Sequence, residues 1–173
     1  MQDAVVCNAS PLIFLAKIGK LELLDFYSLH IPTHVEIEIL AGLKSNKEDA
    51  KQIMEYLRRR KATPVKIHIL KDLPDSLGAG EKAVISLAVQ QRIYHVLIDE
   101  SKARTVARFK GLKPKGTLGV LWGAYKKGKI GKDETESLSF RLLESGYRIK
   151  EEIFIEFLRR LKESGNHDGL QQR

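Results

Sequence analysis

Apolar residues recur along the chain in two alternating patterns, short β-branched runs and longer stretches with helical spacing. The first run, AVVCN at residues 4–8, predicts a buried strand. The stretch that follows, SPLIFLAKIG, predicts a helix with Ser10 as its cap, Pro11 in the first helical position and Gly19 just beyond its end. Together they predict a βα unit.

The next segments continue this alternation. Thr33 stands three residues before Glu36, a capping-box spacing that predicts a short helix from His34 to about Ala41. The stretch NKEDAKQIMEYLRRRK has helical spacing with one apolar face. PVKIHIL, which begins at Pro64, alternates apolar and polar residues as a half-exposed strand does.

The second half of the chain repeats the pattern and then becomes helical. GEKAVISLAVQQR predicts a helix, YHVLIDE a central strand, and SKARTVARFK and TLGVLWGAYKKG two helices ended by Gly111 and Gly128. This alternation predicts an α/β fold, a three-layer α/β/α sandwich in which the carboxyl ends of parallel strands share one edge. Two amphipathic C-terminal helices follow Lys132.

The length of 173 residues suits one well-buried domain with a small helical appendage. We predict a domain over residues 1–130, a helical extension over 131–165 that packs on the domain or on a partner, and a frayed tail over 166–173. No leader-like segment or membrane-length apolar run stands out, so we expect a cytoplasmic protein with no membrane contact. The only cysteine, Cys7, excludes an internal disulfide and a thiolate zinc site.

Positive charge is concentrated in one part of the sequence. The formal net charge is +8, and residues 101–132 contain ten lysines and arginines but no acidic residue. Such a stretch favours a phosphate-facing surface and therefore a polyanionic partner.

Acidic and amide residues follow the predicted strands. Asn8 ends the first strand, and Asp99 and Glu100 end the central one, while Glu38 and Glu81 lie on helices that could reach the same edge. Mg²⁺ prefers oxygen ligands and needs only a few carboxylates from separate elements. Gathered together, such acids can hold one or two metal ions on a phosphodiester and activate the attacking water.

Each of these residues also has a purely structural interpretation. Glu81 would complement the dipole of its helix, Glu36 would be a cap partner, and Glu38 would point either to solvent or into a cleft. Asp99 would cap the next helix, and Asn8 would form an Asx turn. The histidines show no ligand spacing, so we assign none to a metal.

Five collinear motifs resemble those of PIN-domain proteins. They are VVCNASPLIFLAKIGKLELL, HVEIEILAG, LGAGEKAVISLA, VLIDESKARTVA and GLKPKGTLGVLWGAYKKGKI, which together cover about residues 4–130. The Asn-x-Ser-Pro-Leu start is similar to that of a prokaryotic VapC-like subgroup. The resemblance implies Mg²⁺- or Mn²⁺-dependent ribonuclease activity, and many such proteins are the toxin of a toxin–antitoxin pair.

The resemblance also assigns acidic positions. It places the first at Asn8, the second at Glu38, the third at Glu81 and the fourth at Asp99 or Glu100. These five residues are the expected metal ligands, and the four acids are the expected catalytic groups. Asparagine at the first position supplies an oxygen without a charge, so we expect weaker metal binding.

Five further residues are expected to contact the substrate. Ser10 and Thr117 match small hydroxyl positions of the family, and Arg104, Arg108 and Lys115 lie in the acid-free stretch, where they would steer the RNA backbone.

Three functions are consistent with these residues. The first is a metal-dependent RNA endonuclease, and the second is a catalytically weak PIN module that binds RNA or a protein partner. The third is an interaction domain whose C-terminal helices form a homodimer or hold an antitoxin segment. An apolar stripe on the last helix favours the third and consists of Ile153, Phe154, Phe157, Leu158 and Leu161.

Overall fold

Four parallel strands form the central sheet of the protein. The computed structural model describes residues 2–167, with side chains through residue 165. The strands are β1 (Asp3–Cys7), β2 (Tyr27–His30), β3 (His95–Leu97) and β4 (Lys113–Lys115), and their order in the sheet is β2-β1-β3-β4. Val6 of β1 pairs with His30 on one side and with Val96 on the other, so all strand ends point the same way. The predicted parallel sheet is confirmed.

Helices occupy most of the remaining chain. Within residues 2–167 there are eight α-helices: α1 (Ala9–Lys17), α2 (Thr33–Lys44), α3 (Glu48–Arg59), α4 (Ala79–Gln91), α5 (Ser101–Phe109), α6 (Thr117–Lys126), α7 (Lys132–Glu144) and α8 (Glu151–His167). A 3₁₀ turn covers Leu21–Leu24. The predicted α/β fold with C-terminal helices is therefore confirmed.

The core lies around the central strands. Val5, Val6 and Cys7 of β1 are fully buried, and α4 packs on both β1 and β3. Helix α1 packs on α3, and α2 packs on α3 and α4. Cys7 is a free buried thiol, as expected, and burial followed by the negative charge of Asp99 raises its pKa, which keeps it protonated.

The predicted strand after Pro64 is wrong. Among the described residues, this segment makes only an isolated parallel bridge between Pro32 and Val65. Its backbone instead bonds to side chains of α4, because Ser86 Oγ accepts from the Leu70 amide at 2.9 Å and Gln90 Nε2 donates to the His68 carbonyl at 2.7 Å. Apolar alternation alone cannot distinguish these two sets of partners.

Two predicted helix caps are also wrong. Helix α1 begins at Ala9, so Ser10 lies inside it and Asn8 takes the capping position without a side-chain cap bond. Helix α2 begins at Thr33 after Pro32, again without a side-chain cap bond, so the capping box does not form. The Ser10 hydroxyl instead donates a hydrogen bond to Asp99, which follows β3.

The contacts divide the chain into two compact units, Met1–Val120 and Leu121–Arg173. In the second unit, α8 carries the apolar stripe, of which Phe154, Phe157 and Leu161 are buried and Ile153 is exposed. Trp122 meets Phe157 edge-on with ring centres 6.1 Å apart.

The helix α8 continues to His167, so the predicted tail begins inside it, and residues 168–173 lie outside the described part. None of the helices within that part has the length and apolarity needed to span a bilayer.

Candidate active site

Asn8 and Asp99 lie at the carboxyl ends of the two central strands. The chain leaves β1 toward β2 on one side, whereas β3 and β4 continue the sheet on the other. This reversal creates a crevice between β1 and β3, the place where open α/β sheets bind ligands. The Asn8 amide donates to the Leu97 carbonyl at 3.0 Å, which fixes the two strand ends side by side.

The Asp99 carboxylate is held by groups from two helices. Thr117 donates to it from both its amide and its hydroxyl, each at 2.7 Å, and the Ser10 hydroxyl donates at 2.8 Å. Thr117 is fully buried. Because each hydroxyl has one proton and gives it to Asp99, Ser10 and Thr117 act in this arrangement as positioning residues for that carboxylate.

Glu100 has a different local role in the structure. Its carboxylate accepts from the Ala103 amide at 2.7 Å and thereby caps α5. Of the two acids after β3, Asp99 is therefore the one bonded to the groups around the crevice, while Glu100 is bonded to its own helix.

Asn8 contains a buried polar atom with no hydrogen-bond partner. The residue is only 4% exposed, and its Oδ1 is one of two such side-chain atoms among the described residues. An unsatisfied buried acceptor costs about 1–3 kcal/mol. This cost is offset when a donor or a cation occupies the space in front of the oxygen.

That space lies next to Gly80 in the first turn of α4. A Cβ on Gly80 would stand 2.9 Å from Asn8 Oδ1 and 3.2 Å from Glu38 Oε2, so both oxygens face the same small gap. Sequence reasoning missed Gly80, although the segment GAGE, with two glycines among the three residues before an acid, was a usable signal.

Glu38 brings negative charge to this gap, and the charge of Glu81 acts on Glu38 from the start of α4. Partial burial of the Glu38 carboxyl, and then the charge of Glu81, raise the pKa of Glu38 even though the residue as a whole is exposed. Glu81 lies over the start of α4, where a Cβ on Gly78 would collide with its Oε2. The two carboxylates therefore repel each other, as carboxylates that share a cation do in its absence.

The donor set fits a divalent cation. Glu38, Glu81 and Asn8 offer two carboxylates and an amide oxygen, which are hard ligands of the kind that Mg²⁺ binds while it retains several waters. Among the side chains that the structure describes, those of residues 2–165, no three from His, Cys, Asp or Glu lie closely enough to hold a metal by themselves. The amide oxygen of Asn8 is thus the third ligand that this site has available.

The predicted basic contacts are spread over the first unit. Arg104 donates to the carbonyls of Asp99 and Ile98, so its guanidinium braces the end of β3. Lys115 is exposed at the carboxyl end of β4. Arg108 is exposed in the last turn of α5, about 10 Å along the helix from the crevice.

Fold and site together define an α/β protein with an acidic crevice at the topological switch point of a parallel sheet. A family model described as a PIN domain matches residues 4–163, and the chain belongs to the PIN-domain family. PIN domains have a nuclease-type fold, bind nucleic acid and generally use divalent metal ions. No curated protein and no solved structure matches the chain.

Proposed function

We propose that this protein is a cytoplasmic RNA endonuclease that hydrolyses phosphodiester bonds with Mg²⁺ or Mn²⁺. The observation that carries the proposal is the unpaired, buried Oδ1 of Asn8, which faces the same gap as the Glu38 carboxylate. The raised pKa of Glu38, caused in part by Glu81, supports the same conclusion because a cation would relieve that repulsion.

The residues have separate roles in this proposal. Glu38, Glu81 and Asn8 would hold the ion, which would lower the pKa of a bound water and neutralise charge on the phosphodiester in the transition state. Asp99, kept in place by Ser10 and Thr117, would add negative charge at the crevice. Arg104 keeps the Asp99 backbone in position.

The proposed substrate is a nucleic acid because the chain is strongly basic, and RNA in particular because its motifs resemble those of the VapC-like subgroup. Its net charge of +8 and the acid-free stretch at residues 101–132 favour a polyanion. Lys115, exposed where β4 ends, lies at the same edge of the sheet as the crevice and would contact the RNA backbone.

The deciding experiment is cleavage of a mixed single-stranded RNA pool with Mn²⁺ or Mg²⁺. We expect wild type to cut, and Glu38→Gln and Glu81→Gln each to lose at least about a hundredfold in rate. Glu36→Gln, on the same helix as Glu38, is the matched control and should cut at the wild-type rate. Equal cleavage by all four proteins would contradict the proposal, as would calorimetry that detects no Mn²⁺ binding.

The missing charge at Asn8 favours the weak-module hypothesis as the second candidate. If wild type binds RNA without cutting it and Asn8→Asp cuts, the protein acts chiefly as an RNA-binding module. If wild type already cuts and Asn8→Asp adds little, the amide is sufficient for catalysis.

We extend the proposal to a toxin role, for which the expected results are growth arrest on expression and relief by a co-expressed antitoxin protein.

We also propose that the protein forms a homodimer, which light scattering at several concentrations tests. A strict monomer at high concentration would remove that part of the proposal.

A further inference from the structure

Two large aromatic side chains are exposed at the edge of the sheet opposite the crevice. Phe109, the last residue of α5, is 86% exposed, and Tyr94, directly before β3, is 60% exposed. Aromatic rings of this size are usually buried, because each removes a large apolar area from water. Their exposure needs an explanation that packing does not supply.

A tight turn brings these residues to the same edge. After α5, the Gly111 amide donates to Arg108 at 2.9 Å and the Leu112 amide to Ala107 at 3.0 Å, with Gly111 at a φ of +78°. The chain then enters β4, and the Lys113 amide donates to the Tyr94 carbonyl at 2.7 Å. The end of α5 and the start of β3 are therefore joined at one end of the sheet.

Cationic residues are close in sequence to the two aromatic residues. Arg92, Arg108 and Lys113 are all exposed at this edge, where Arg92 precedes Tyr94 and Arg108 precedes Phe109. Lys110 is paired with Asp72, so we leave it out of the surface. The result is a set of five exposed residues, which we call the aromatic edge: Arg92, Tyr94, Arg108, Phe109 and Lys113.

We propose that the aromatic edge binds unpaired nucleotides of single-stranded RNA at a distance from the crevice. Aromatic faces stack on bases and cations neutralise the adjacent phosphates, which is how single strands are held without sequence preference. Tyr, Phe and Arg are also enriched at protein interfaces, so the argument for RNA rests on charge: three of the five residues are cations and none is acidic, which favours a polyanion. The inference rests on the proposed function in that the bound strand is part of the RNA substrate.

The distance to the crevice suits a substrate that spans both surfaces. Helix α5 starts next to Asp99 and Glu100 and ends at Phe109, a length of about 13 Å for nine residues. A strand of several nucleotides can reach from one to the other. Substrates too short to do so should gain nothing from the aromatic edge.

The test measures binding of a fluorescent 15-nucleotide RNA by anisotropy, with EDTA present so that cleavage cannot occur. We expect Phe109→Ala and Tyr94→Ala each to weaken binding about tenfold. Phe109→Trp should retain the affinity, whereas Phe109→Leu should lose it, because leucine keeps apolar bulk but has no π face. Phe140 is an exposed aromatic residue on α7, so Phe140→Ala is the control and should leave the affinity unchanged.

Two results would overturn the inference: wild-type affinity in Phe109→Ala, or equal affinity in Phe109→Leu and Phe109→Trp, since stacking on a base needs the π face that leucine lacks. Cleavage of a dinucleotide RNA, which is too short to reach the aromatic edge from the crevice, separates this inference from the proposed function. Unchanged cleavage of that RNA in Phe109→Ala supports the aromatic edge as a separate surface. Ring-dependent binding by a protein that never cuts RNA would refute the nuclease and leave the aromatic edge supported.

Discussion

A methyl group at Gly80 should disable the crevice without unfolding the protein. An alanine Cβ would stand 2.9 Å from Asn8 Oδ1, about half an ångström inside ordinary van der Waals contact, and 3.2 Å from Glu38 Oε2. Asn8 is almost completely buried and cannot retreat freely. Mg²⁺ binds its oxygen ligands at roughly 2.1 Å and tolerates little displacement from that distance. Once the added Cβ displaces these oxygens, Asn8 and Glu38 can no longer bind one ion together.

The expected changes in function and stability differ in size. We expect Gly80→Ala to lower the cleavage rate and the Mn²⁺ affinity by about tenfold to a hundredfold. The free energy of unfolding should change by less than about 1 kcal/mol, because alanine gains roughly 0.5–1 kcal/mol in helix propensity and this offsets the close contact.

The assay compares RNA cleavage, Mn²⁺ calorimetry and urea unfolding in wild type, Gly80→Ala and a control. Gly131→Ala is a suitable control, because it also lies at a helix start and a Cβ there meets no atom within 4 Å. Wild-type Mn²⁺ affinity and cleavage rate in Gly80→Ala would refute the assignment of this gap to a cation.

Three further predictions concern the neighbours of this gap. Without metal, Asn8→Asp should lower the free energy of unfolding by about 1–3 kcal/mol, because it buries an unpaired carboxylate, and saturating Mn²⁺ should raise its melting temperature more than that of wild type. The pKa of Glu38 is raised in the folded state, so the folded protein binds a proton at this carboxylate more tightly than the unfolded protein does. The metal-free protein should therefore lose stability as pH rises from the ordinary glutamate pKa through the raised one. Urea titrations between about pH 4 and 8 should show this loss in wild type and in Glu36→Gln but not in Glu38→Gln. Thr117→Val removes one hydrogen bond to Asp99 and should cost about 1–2 kcal/mol of stability, which Thr117→Ser restores; equal melting temperatures for valine and serine would contradict this role.

Much of the site could be predicted because its positions follow from local sequence. Asn8 and Asp99 each come at the end of an apolar run, and residues at strand ends share one edge in a parallel sheet. The choice between Asp99 and Glu100 could not be made that way. The Ser10 hydroxyl that bonds Asp99 lies 89 positions away in the chain, and no local spacing reports such a contact.

The wrong strand prediction after Pro64 and the missed Gly80 have the same cause, since both depend on contacts between residues far apart in sequence. PVKIHIL alternates like a strand, but whether it joins the sheet depends on neighbours, and Ser86 and Gln90 of α4 bond its backbone instead. In the local sequence, Gly80 resembles another glycine at a helix start. Only the folded structure places Asn8 Oδ1 and Glu38 Oε2 beside it.

The sequence by itself determined the α/β alternation, the parallel sheet, the basic character of residues 101–132 and the acids available for chemistry. Those properties depend on hydrophobic period and composition, which are local or additive along the chain. Only the tertiary structure decided that the side-chain oxygens of Asn8 and Glu38 lie beside the same gap, that Ser10 and Thr117 hold the Asp99 carboxylate, and that Asn8 Oδ1 has no hydrogen-bond partner. These depend on distances between residues far apart in sequence, and such distances exist only once the strands have paired and the helices have packed.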